Sequence, residues 1–407
     1  MSIKGNGRKL LFIVNLFAAS RKAGELWHEA AEILTYRRVA YHHRMTGREG
    51  NAHELTYDAC GKGYRCFIAV GGDGTVHDVL NGIMDYANEY SVPLSEFTMG
   101  VLPVGSGNDW IKSLGIPKDF SKAIDIIADG HVAKQDVVRV SILDKKALPE
   151  ERPTHISYMA NVGGVGLDAR VCMTVNRKKE QGRRGKKLYV SALLQHLFNR
   201  TRTRIRLNCD GEDIFEGEYI SIAFGIGRYS GGGMRQTPTA VLGDQLLDVT
   251  LIPELPLLKI AREAPRLFTG SFHKVKELVQ AKCRTVTVYP CGDMQEEPVE
   301  VDGEVVGHAP VRMEVLDEQL VGQGLLGGAA LGHQNEQGMG KVKAGHHCGS
   351  VVRIHVGDEG GLHLEAALRS CPLLQGQVHG PGPQVGAADA DLYHRGEFFS
   401  GGIGNST

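Results

Sequence analysis

Two glycine-rich loops carry the residues whose types and spacing could do chemistry. The first spans residues 71–77 (GGDGTVH), and the second spans residues 102–109 (LPVGSGND). Each loop follows an apolar stretch typical of a buried strand and precedes apolar residues at helical spacing. Free backbone N–H groups at such a junction, together with the helix dipole, attract phosphate. The two loops therefore predict a phosphate-binding or nucleotide-binding crevice at the carboxyl edge of a parallel sheet.

Phosphate binding alone does not explain the acidic residues in these loops. Asp73 would repel a bare phosphate, so it suits a Mg²⁺-linked or proton-accepting role. In the second loop, Ser106 and Asn108 could hydrogen-bond a nucleotide, whereas Asp109 could simply cap the helix that follows. A strand–helix turn with three glycines is also common in α/β proteins without any such function, so the structural interpretation stays open.

The elements that must position these loops change character along the chain. Up to about residue 135, apolar runs at 10–15 and 67–70 alternate with helical patterns at 24–36 and 121–128, a rhythm typical of α/β proteins. From about residue 136, strand-like stretches dominate, at 156–161, 204–209, 219–225, 247–252, 285–289 and 311–316, with helical interruptions near 167–198 and 257–280. We predict an α/β domain over residues 1–135 and a mostly β domain over residues 136–316.

A third change of composition falls near residue 317. Beyond Leu316 lie only 5 of the 46 Lys and Arg residues but 20 of the 53 glycines. The segment shows no sustained period of 2 or 3.6, and its Gly and Pro residues punctuate it instead of building elements. Two interpretations of residues 317–407 stay open: a flexible low-complexity tail, or translation in a shifted reading frame from near Leu316.

Composition excludes several classes of protein. With 407 residues, 42% apolar and 23% charged, the chain has ordinary globular composition and enough length for two domains. A net charge of -1 excludes a polycation, so we expect no nucleic-acid partner. Eight cysteines without CxxC spacing favour reduced intracellular thiols. The basic start before residues 10–19 imitates a signal peptide, but Asn15 interrupts it, so we expect a buried strand and a cytoplasmic protein.

The motifs occur in the order seen in a known family. Residues 71–75 (GGDGT) with Asn81-Gly82, 102–109 (LPVGSGND), 161–168 (NVGGVGLD), 229–234 (YSGGGM) and 301–304 (VDGE) resemble the diacylglycerol kinase catalytic family. The similarity covers about residues 9–316 and is closest to the soluble bacterial lipid kinases. It implies an α/β nucleotide-binding domain like those of NAD kinases, a C-terminal β-sandwich domain, ATP as phosphoryl donor, Mg²⁺, and a lipid hydroxyl as acceptor.

The resemblance also implies roles for individual residues. The nucleotide contacts that it implies are Asn15, Thr46, Gly71, Gly72, Asp73, Gly74, Thr75, Val76, His77, Gly105, Ser106 and Asn108. The proton acceptor is implied within residues 302–304, and we assign it to Glu304, with Asp73 and Asp302 as the other catalytic carboxylates. The Asp302-Gly303 pair also predicts a type I′ hairpin turn.

The family's structural Mg²⁺ loop maps to residues 241–248. The implied ligands are the Asp244 carboxylate and the backbone carbonyls of Val241 and Leu246. The sequence departs from the family pattern at Gly243 and Gln245, which stand where a polar residue or Asp and then Gly are usual.

A polybasic segment bears on the partners that we expect. Residues 177–187 hold seven Lys or Arg and precede an apolar helical pattern, so they form either a solvated face or a dock for anionic lipid. We expect a lipid substrate and peripheral contact at the inner face of the membrane; a homodimer stays open. The favoured function is an ATP-dependent kinase acting on diacylglycerol or a related lipid. The alternatives are an NAD kinase-like small-molecule kinase and an inactive lipid-binding or nucleotide-binding member with an altered C-terminus.

Overall fold

The computed structural model describes residues 9–18, 23–47, 50–104, 107–145, 152–181, 183, 186–199, 203–291 and 296–323, and two backbone strands at 352–356 and 362–366. The first domain contains the strands β1 (Leu10–Val14), β2 (Tyr41–Met45), β3 (Cys66–Gly71), β4 (Thr98–Pro103) and β5 (Val132–Gln135). Its helices are α1 (Ala23–Tyr36), α2 (Ala52–Gly61), α3 (Asp73–Tyr90), α4 (Asp109–Leu114) and α5 (Phe120–Asp129). The alternation is that of the predicted α/β domain.

The strands that end at the two glycine-rich loops lie at the centre of this domain. The sheet order is β2-β1-β3-β4-β17-β5, where β17 is a strand from residues 320–323, and the first four strands run parallel. Every residue of β3 and of β4 is buried, so helices cover both faces of the sheet. Since parallel strands share one carboxyl edge, both loops lie at that edge.

Strand β17 (Leu320–Gln323) brings the end of the second domain back to the first sheet. It pairs parallel to β4 through Val321↔Thr98 and antiparallel to β5 through Val321↔Lys134. These four residues, which we predict to belong to the tail that begins at 317, lie inside the α/β sheet. The predicted domain boundary at residue 316 lies too early, because a strand of four residues is too short to show the alternation of apolar and polar residues.

The second domain follows β5 and, within the described residues, is built from eleven strands and four helices. Its strands are β6 (Val138–Leu143), β7 (Pro153–Met159), β8 (Val162–Gly166), β9 (Thr203–Cys209), β10 (Glu212–Gly225), β11 (Leu247–Pro253), β12 (Val279–Cys283), β13 (Thr285–Pro290), β14 (Pro298–Val301), β15 (Glu304–His308) and β16 (Val311–Val315). Its helices are α6 (Leu167–Glu180), α7 (Lys186–Phe198), α8 (Leu257–Glu263) and α9 (Arg266–Thr269).

The long strand β10 belongs to both layers of this β-sandwich. Its residues 212–219 pair with β9, and its residues 221–225 pair with β8 on one side and β11 on the other. The register shifts between Tyr219 and Ser221, where the strand passes from one layer to the other. Buried side chains from the two layers, such as Leu207 of β9 and Phe224 of β10, share one hydrophobic cluster, so the layers pack face to face.

The tail contains a short hairpin that the sequence analysis did not predict. The backbone strands β18 (Val352–Val356) and β19 (Leu362–Ala366) pair antiparallel. Both sequences, VRIHV and LHLEA, alternate apolar and polar residues, but each run is too brief to count as a sustained period. The other residues beyond 323 lie outside those described. Among the described helices, no segment is long and apolar enough to cross a bilayer.

Candidate active site

The first loop is a very tight junction between β3 and α3. Gly72 is the residue before the helix, with extended backbone, and its carbonyl accepts hydrogen bonds from the N–H groups of Thr75 and Val76 at 3.0 and 3.2 Å. A Cβ at Gly71 would lie 2.3 Å from Thr75 Oγ1, so that position accepts only glycine. Asn15, at the end of β1, donates from Nδ2 to the same Oγ1 at 3.0 Å. The loop therefore presents the amino end of α3 at the sheet edge.

Asp73 lies where the two loops meet. Its Oδ1 accepts a hydrogen bond from the backbone N–H of Asp109 at 2.9 Å, and a Cβ at Gly107 would lie 2.8 Å from its Oδ2. Burial, reinforced by the neighbouring Asp109 carboxylate, raises the pKa of Asp73 to about 6. The two glycine-rich loops thus meet at an acidic group of perturbed pKa, at the position predicted for the nucleotide crevice.

The alternative that Asp109 caps its own helix is wrong. The residue before α4 is Asn108, at φ 49°, and within the described chain no side chain caps that helix. The Asp109 carboxylate instead contacts the Lys112 ammonium and accepts the backbone N–H of Gly232 at 2.6 Å. Asp109 therefore joins the second loop to the glycine-rich segment 229–234 of the sandwich domain.

Asp302 anchors the hairpin turn between β14 and β15. Asp302 and Gly303 have φ values of 52° and 89°, as a type I′ turn requires. The Asp302 carboxylate is buried and accepts backbone N–H groups from Ala160, Asn161 and Val162 at 2.8, 2.9 and 3.3 Å. Because both its oxygens are engaged, its position suits holding the turn better than accepting a proton from a substrate.

Glu304 lies on the other side of the same turn and is exposed. A Cβ on Gly74 would lie 2.6 Å from Glu304 Oε1, so the carboxylate lies directly over the first turn of α3. Asn176 of α6 donates to the Gly303 carbonyl at 3.1 Å and to Glu304 Oε2 at 3.4 Å. The sandwich domain thus supplies one accessible carboxylate to the phosphate-binding loop.

Two of the implied nucleotide residues turn their side chains away from the crevice. Val76 is buried in the core of the first domain. His77 is buried too, with Nδ1 3.8 Å from Asp302 Oδ2. Burial by itself would lower the pKa of His77, but the Asp302 carboxylate outweighs it and raises the pKa. The nucleotide can meet Val76 only through its backbone, while His77 supports Asp302.

Thr46, at the end of β2, offers an unused polar atom. Its N–H donates to the Val14 carbonyl at 2.9 Å, which continues the pairing of β1 and β2 to the sheet edge. Its Oγ1 is buried and has no hydrogen-bond partner among the described residues. A buried hydroxyl without a partner costs about 1–3 kcal/mol, so this atom fits a ligand contact. Gly105 and Ser106 lie outside the described residues.

The implied structural Mg²⁺ site already contains a cation from the chain itself. Asp244 Oδ1 accepts the Leu246 N–H at 3.1 Å, and its Oδ2 lies 3.6 Å from Lys282 Nζ. The same ammonium pairs with Asp248 Oδ2 at 2.7 Å and donates to the Thr239 carbonyl at 3.1 Å. With the acidic oxygens engaged in this way, the residues at Val241, Asp244 and Leu246 do not fit a structural Mg²⁺.

Two amide side chains that hold the domains together were not assigned a role from sequence. Asn81 Oδ1 accepts the Tyr158 N–H at 2.9 Å, and its Nδ2 donates to the Tyr158 carbonyl at 3.1 Å, so it pairs with β7 as a strand would. Gln135 accepts from Trp110 Nε1 at 3.0 Å and donates to the Ala160 carbonyl at 2.8 Å. The role of Asn81 could have been inferred from its place in the first motif, whereas no sequence feature marks Gln135.

Family comparison agrees with this architecture. The model of the diacylglycerol kinase catalytic domain matches residues 9–140, and that of the YegS C-terminal NAD kinase beta sandwich-like domain matches residues 161–321. The chain therefore carries a diacylglycerol kinase catalytic domain followed by a YegS-type sandwich domain.

Named relatives lie in the same group. The chain is 24% identical to a diacylglycerol kinase of Staphylococcus carnosus over 68% of its own length and 81% of the relative. It is 27% identical to a probable lipid kinase YegS-like of Xanthomonas campestris pv. campestris over 72% and 89%. A crystal structure of a putative diacylglycerol kinase from Bacillus anthracis superposes with a TM-score of 0.59 at 21% identity, covering 78% of this chain and 96% of that one. The last likeness shows the shared fold.

The polybasic segment 177–187 is only partly described. It connects α6 to α7, and residues 182, 184 and 185 lie outside the described part. Membrane docking by this segment therefore stays a prediction.

Proposed function

We propose that this chain is an ATP-dependent lipid kinase that transfers the γ-phosphoryl group to the hydroxyl of diacylglycerol or a related lipid. The matches to the two family models support this class of reaction. The observation that carries the proposal is the position of the Glu304 carboxylate over Gly74, at the start of α3. A proton acceptor and a phosphate-binding helix end thereby face one another across the domain junction.

In the proposed reaction, the lipid hydroxyl oxygen attacks the γ-phosphorus while Glu304 accepts the hydroxyl proton. The new bond joins the lipid oxygen to phosphorus, and the bond from phosphorus to the β–γ bridging oxygen breaks, so ADP leaves. Phosphoryl transfer of this kind depends mainly on positioning and electrostatics. Exposure of Glu304 beside Asn176 leaves it accessible to an incoming hydroxyl.

The phosphate groups of ATP suit the carboxyl edge of the first sheet. The amino end of α3, the buried Thr46 hydroxyl and the backbone of the second loop all lie along this edge. Mg²⁺ bound with ATP would neutralise charge on the phosphate oxygens, and Asp73 is the carboxylate at the loop junction that could hold it. Its raised pKa makes this role sensitive to acid.

The test is transfer of label from [γ-³²P]ATP to lipid. The full chain should label an acceptor in mixed micelles of diacylglycerol, phosphatidylglycerol, monoacylglycerol or a sphingoid base, and the labelled product identifies the substrate. A parallel reaction with NAD addresses the small-molecule alternative. Label in NAD alone, or in no acceptor while ATP still binds, would overturn the proposal.

A further inference from the structure

The segment between β11 and β12 is built unlike the rest of the sandwich domain. It contains α8, α9 and a single turn of 3₁₀ helix at Phe272–Lys274. None of the residues of α8 and α9, which the structure describes in full, is buried. Phe272 and Val275 are the buried anchors that hold the segment on the domain. The two helices therefore stand on the surface and contribute little to the core.

Large apolar side chains on these helices face solvent. Leu258 is 85% exposed, Phe268 is 62% exposed and Leu257 is 37% exposed. Burying a Leu or Phe side chain contributes about 1.5–3 kcal/mol, so leaving them in water forgoes that stabilisation. A surface that collects several such side chains on one short segment marks a contact site.

The charges of the same segment are strongly positive. Residues 256–276 contain five Lys or Arg and one acidic residue, whereas the whole chain has a net charge of -1. Five cations line one cavity of about 190 Å³: Lys259, Arg262, Arg266, Lys274 and Lys276. The two carboxylates beside them, Glu263 and Glu277, pair with three of these cations and leave an excess of positive charge.

This surface is connected to the candidate active site through one loop. The Leu267 carbonyl at α9 accepts the Arg235 N–H at 2.6 Å, and the Arg235 guanidinium lies 5.3 Å from the centre of the Tyr229 ring. Three residues earlier than Arg235, the Gly232 N–H donates to Asp109 of the second loop. The segment 229–235 therefore lies between the α8–α9 surface and the nucleotide crevice.

We propose that α8 and α9 dock this protein on an anionic lipid bilayer, with Leu258 and Phe268 entering the interface and the cations of the same segment meeting lipid phosphates. Charge complementarity favours this occupant, because exposed apolar side chains on a segment rich in Lys and Arg match a headgroup layer with acyl chains beneath it. Docking here would hold the loop 229–235 and the crevice next to the bilayer. The inference rests on the proposed lipid substrate and adds the surface that reaches it.

The test measures binding to vesicles without turnover, so it is separate from kinase activity. Full-length protein is co-sedimented with phosphatidylcholine vesicles with and without phosphatidylglycerol, at low and high salt. The variants are Leu258→Ser with Phe268→Ser, and Arg262→Glu with Lys274→Glu. The charge-reversal pair should weaken partitioning onto phosphatidylglycerol vesicles about tenfold or more, since each basic residue near an anionic surface contributes about 1 kcal/mol. The apolar pair should weaken it at least as much, since burying a Leu or Phe side chain contributes about 1.5–3 kcal/mol. High salt should weaken wild-type binding.

Matched controls carry equal changes elsewhere on the surface. Tyr36→Ser removes another highly exposed apolar side chain, and Lys62→Glu with Lys118→Glu makes the same change of charge on the first domain. Both should bind like wild type, and all variants should keep the wild-type circular dichroism spectrum. Phosphorylation of a water-soluble short-chain diacylglycerol should be unchanged in the docking variants, while phosphorylation in vesicles falls.

Three results would overturn the docking surface. One is wild-type binding that ignores phosphatidylglycerol content; another is full binding by both docking variants. The third is a dimer by light scattering that becomes monomeric in Leu258→Ser with Phe268→Ser, which would assign the surface to a second copy of the chain. Vesicle binding without any lipid phosphorylation would instead keep this surface and reject the proposed kinase activity.

Discussion

Asp73 Oδ1 accepts the backbone N–H of Asp109 across 2.9 Å, and this bond joins the two glycine-rich loops. The Asp109 carboxylate extends the connection to Gly232 of the sandwich domain. The two acidic residues therefore have different roles. Asp73 lies where the two loops meet, whereas Asp109 connects the second loop to the sandwich domain.

Glu304→Gln should abolish lipid phosphorylation with the fold intact. The amide keeps the size of the side chain and its contact with Asn176 but accepts no proton, and a general base contributes about 10²–10⁴-fold to rate. The measurement is kcat on micellar diacylglycerol, with the thermal unfolding midpoint as a control for folding. Glu54→Gln, on α2, is the matched surface substitution. Near-wild-type turnover in Glu304→Gln would remove this residue from the reaction.

Asp73 should give kcat/KM for ATP an acidic limb near pH 6. Its pKa is raised from 3.8 to about 6, so protonation in the free enzyme removes the carboxylate as pH falls below that value. The raised pKa of Asp73 in the folded state affects stability in the opposite direction. The stabilisation that the protonated Asp73 contributes is fully present below pH 3.8 and is lost as pH rises through about 6. The limb should persist in His77→Gln. If it vanishes there, the titrating group is the histidine.

Asp73→Asn should also abolish lipid phosphorylation while the protein stays folded. The substitution retains the shape of the side chain and can still accept the Asp109 N–H, but it removes the negative charge at the loop junction. The assay is turnover on diacylglycerol at saturating ATP, with circular dichroism as the folding control. Normal turnover in this variant would show that the charge is not required.

Gly74→Ala should reduce activity more than stability. The new Cβ would lie 2.6 Å from Glu304 Oε1, and that exposed side chain can move aside without disturbing the core. Replacing Gly by Ala inside a helix gains roughly 1 kcal/mol of helix stability, which offsets the clash. The expected result is at least a tenfold lower kcat with an unfolding midpoint close to wild type. Gly61→Ala on α2, where the nearest contact is an ordinary 3.8 Å, should leave kcat unchanged.

Asn81→Ala should loosen the two domains from one another. The substitution leaves the Tyr158 N–H and carbonyl without their partners, at a cost of about 1–3 kcal/mol in the free energy of unfolding. Denaturant unfolding measures the loss, and Asn208→Ala, whose bonds are on the exposed surface, is the control. Equal stability in the two variants would contradict a clamp at Asn81.

Lys282→Met should destabilise the loop at residues 241–248, and chelation should not. Removing the ammonium leaves the buried Asp248 without its cation, which costs about 1–3 kcal/mol. The thermal midpoint of the wild type should be the same in EDTA and in Mg²⁺, because Lys282 already supplies the positive charge. A thermal unfolding midpoint that falls on chelation would instead show that Asp244 binds a metal ion.

The parts of the fold that could be predicted were those fixed by local pattern. The apolar runs at 10–15 and 67–70 correspond to β1 and β3, and Asp302-Gly303 forms the turn that its residue types require. Long-range relationships left no local trace. Nothing around Lys282 shows that it faces Asp244 and Asp248, and nothing around Leu267 shows that it contacts Arg235. Such pairings follow from tertiary packing, which periodicity does not record.

Strand β17 has a consequence for the order of synthesis. It fills the place between β4 and β5, so the first domain is interrupted in sequence by the entire sandwich. A nascent chain that has emerged only as far as residue 140 holds an open slot in the middle of its sheet, with the edges of β4 and β5 unpaired. The sheet of the first domain can therefore be completed only after the whole sandwich domain has been made.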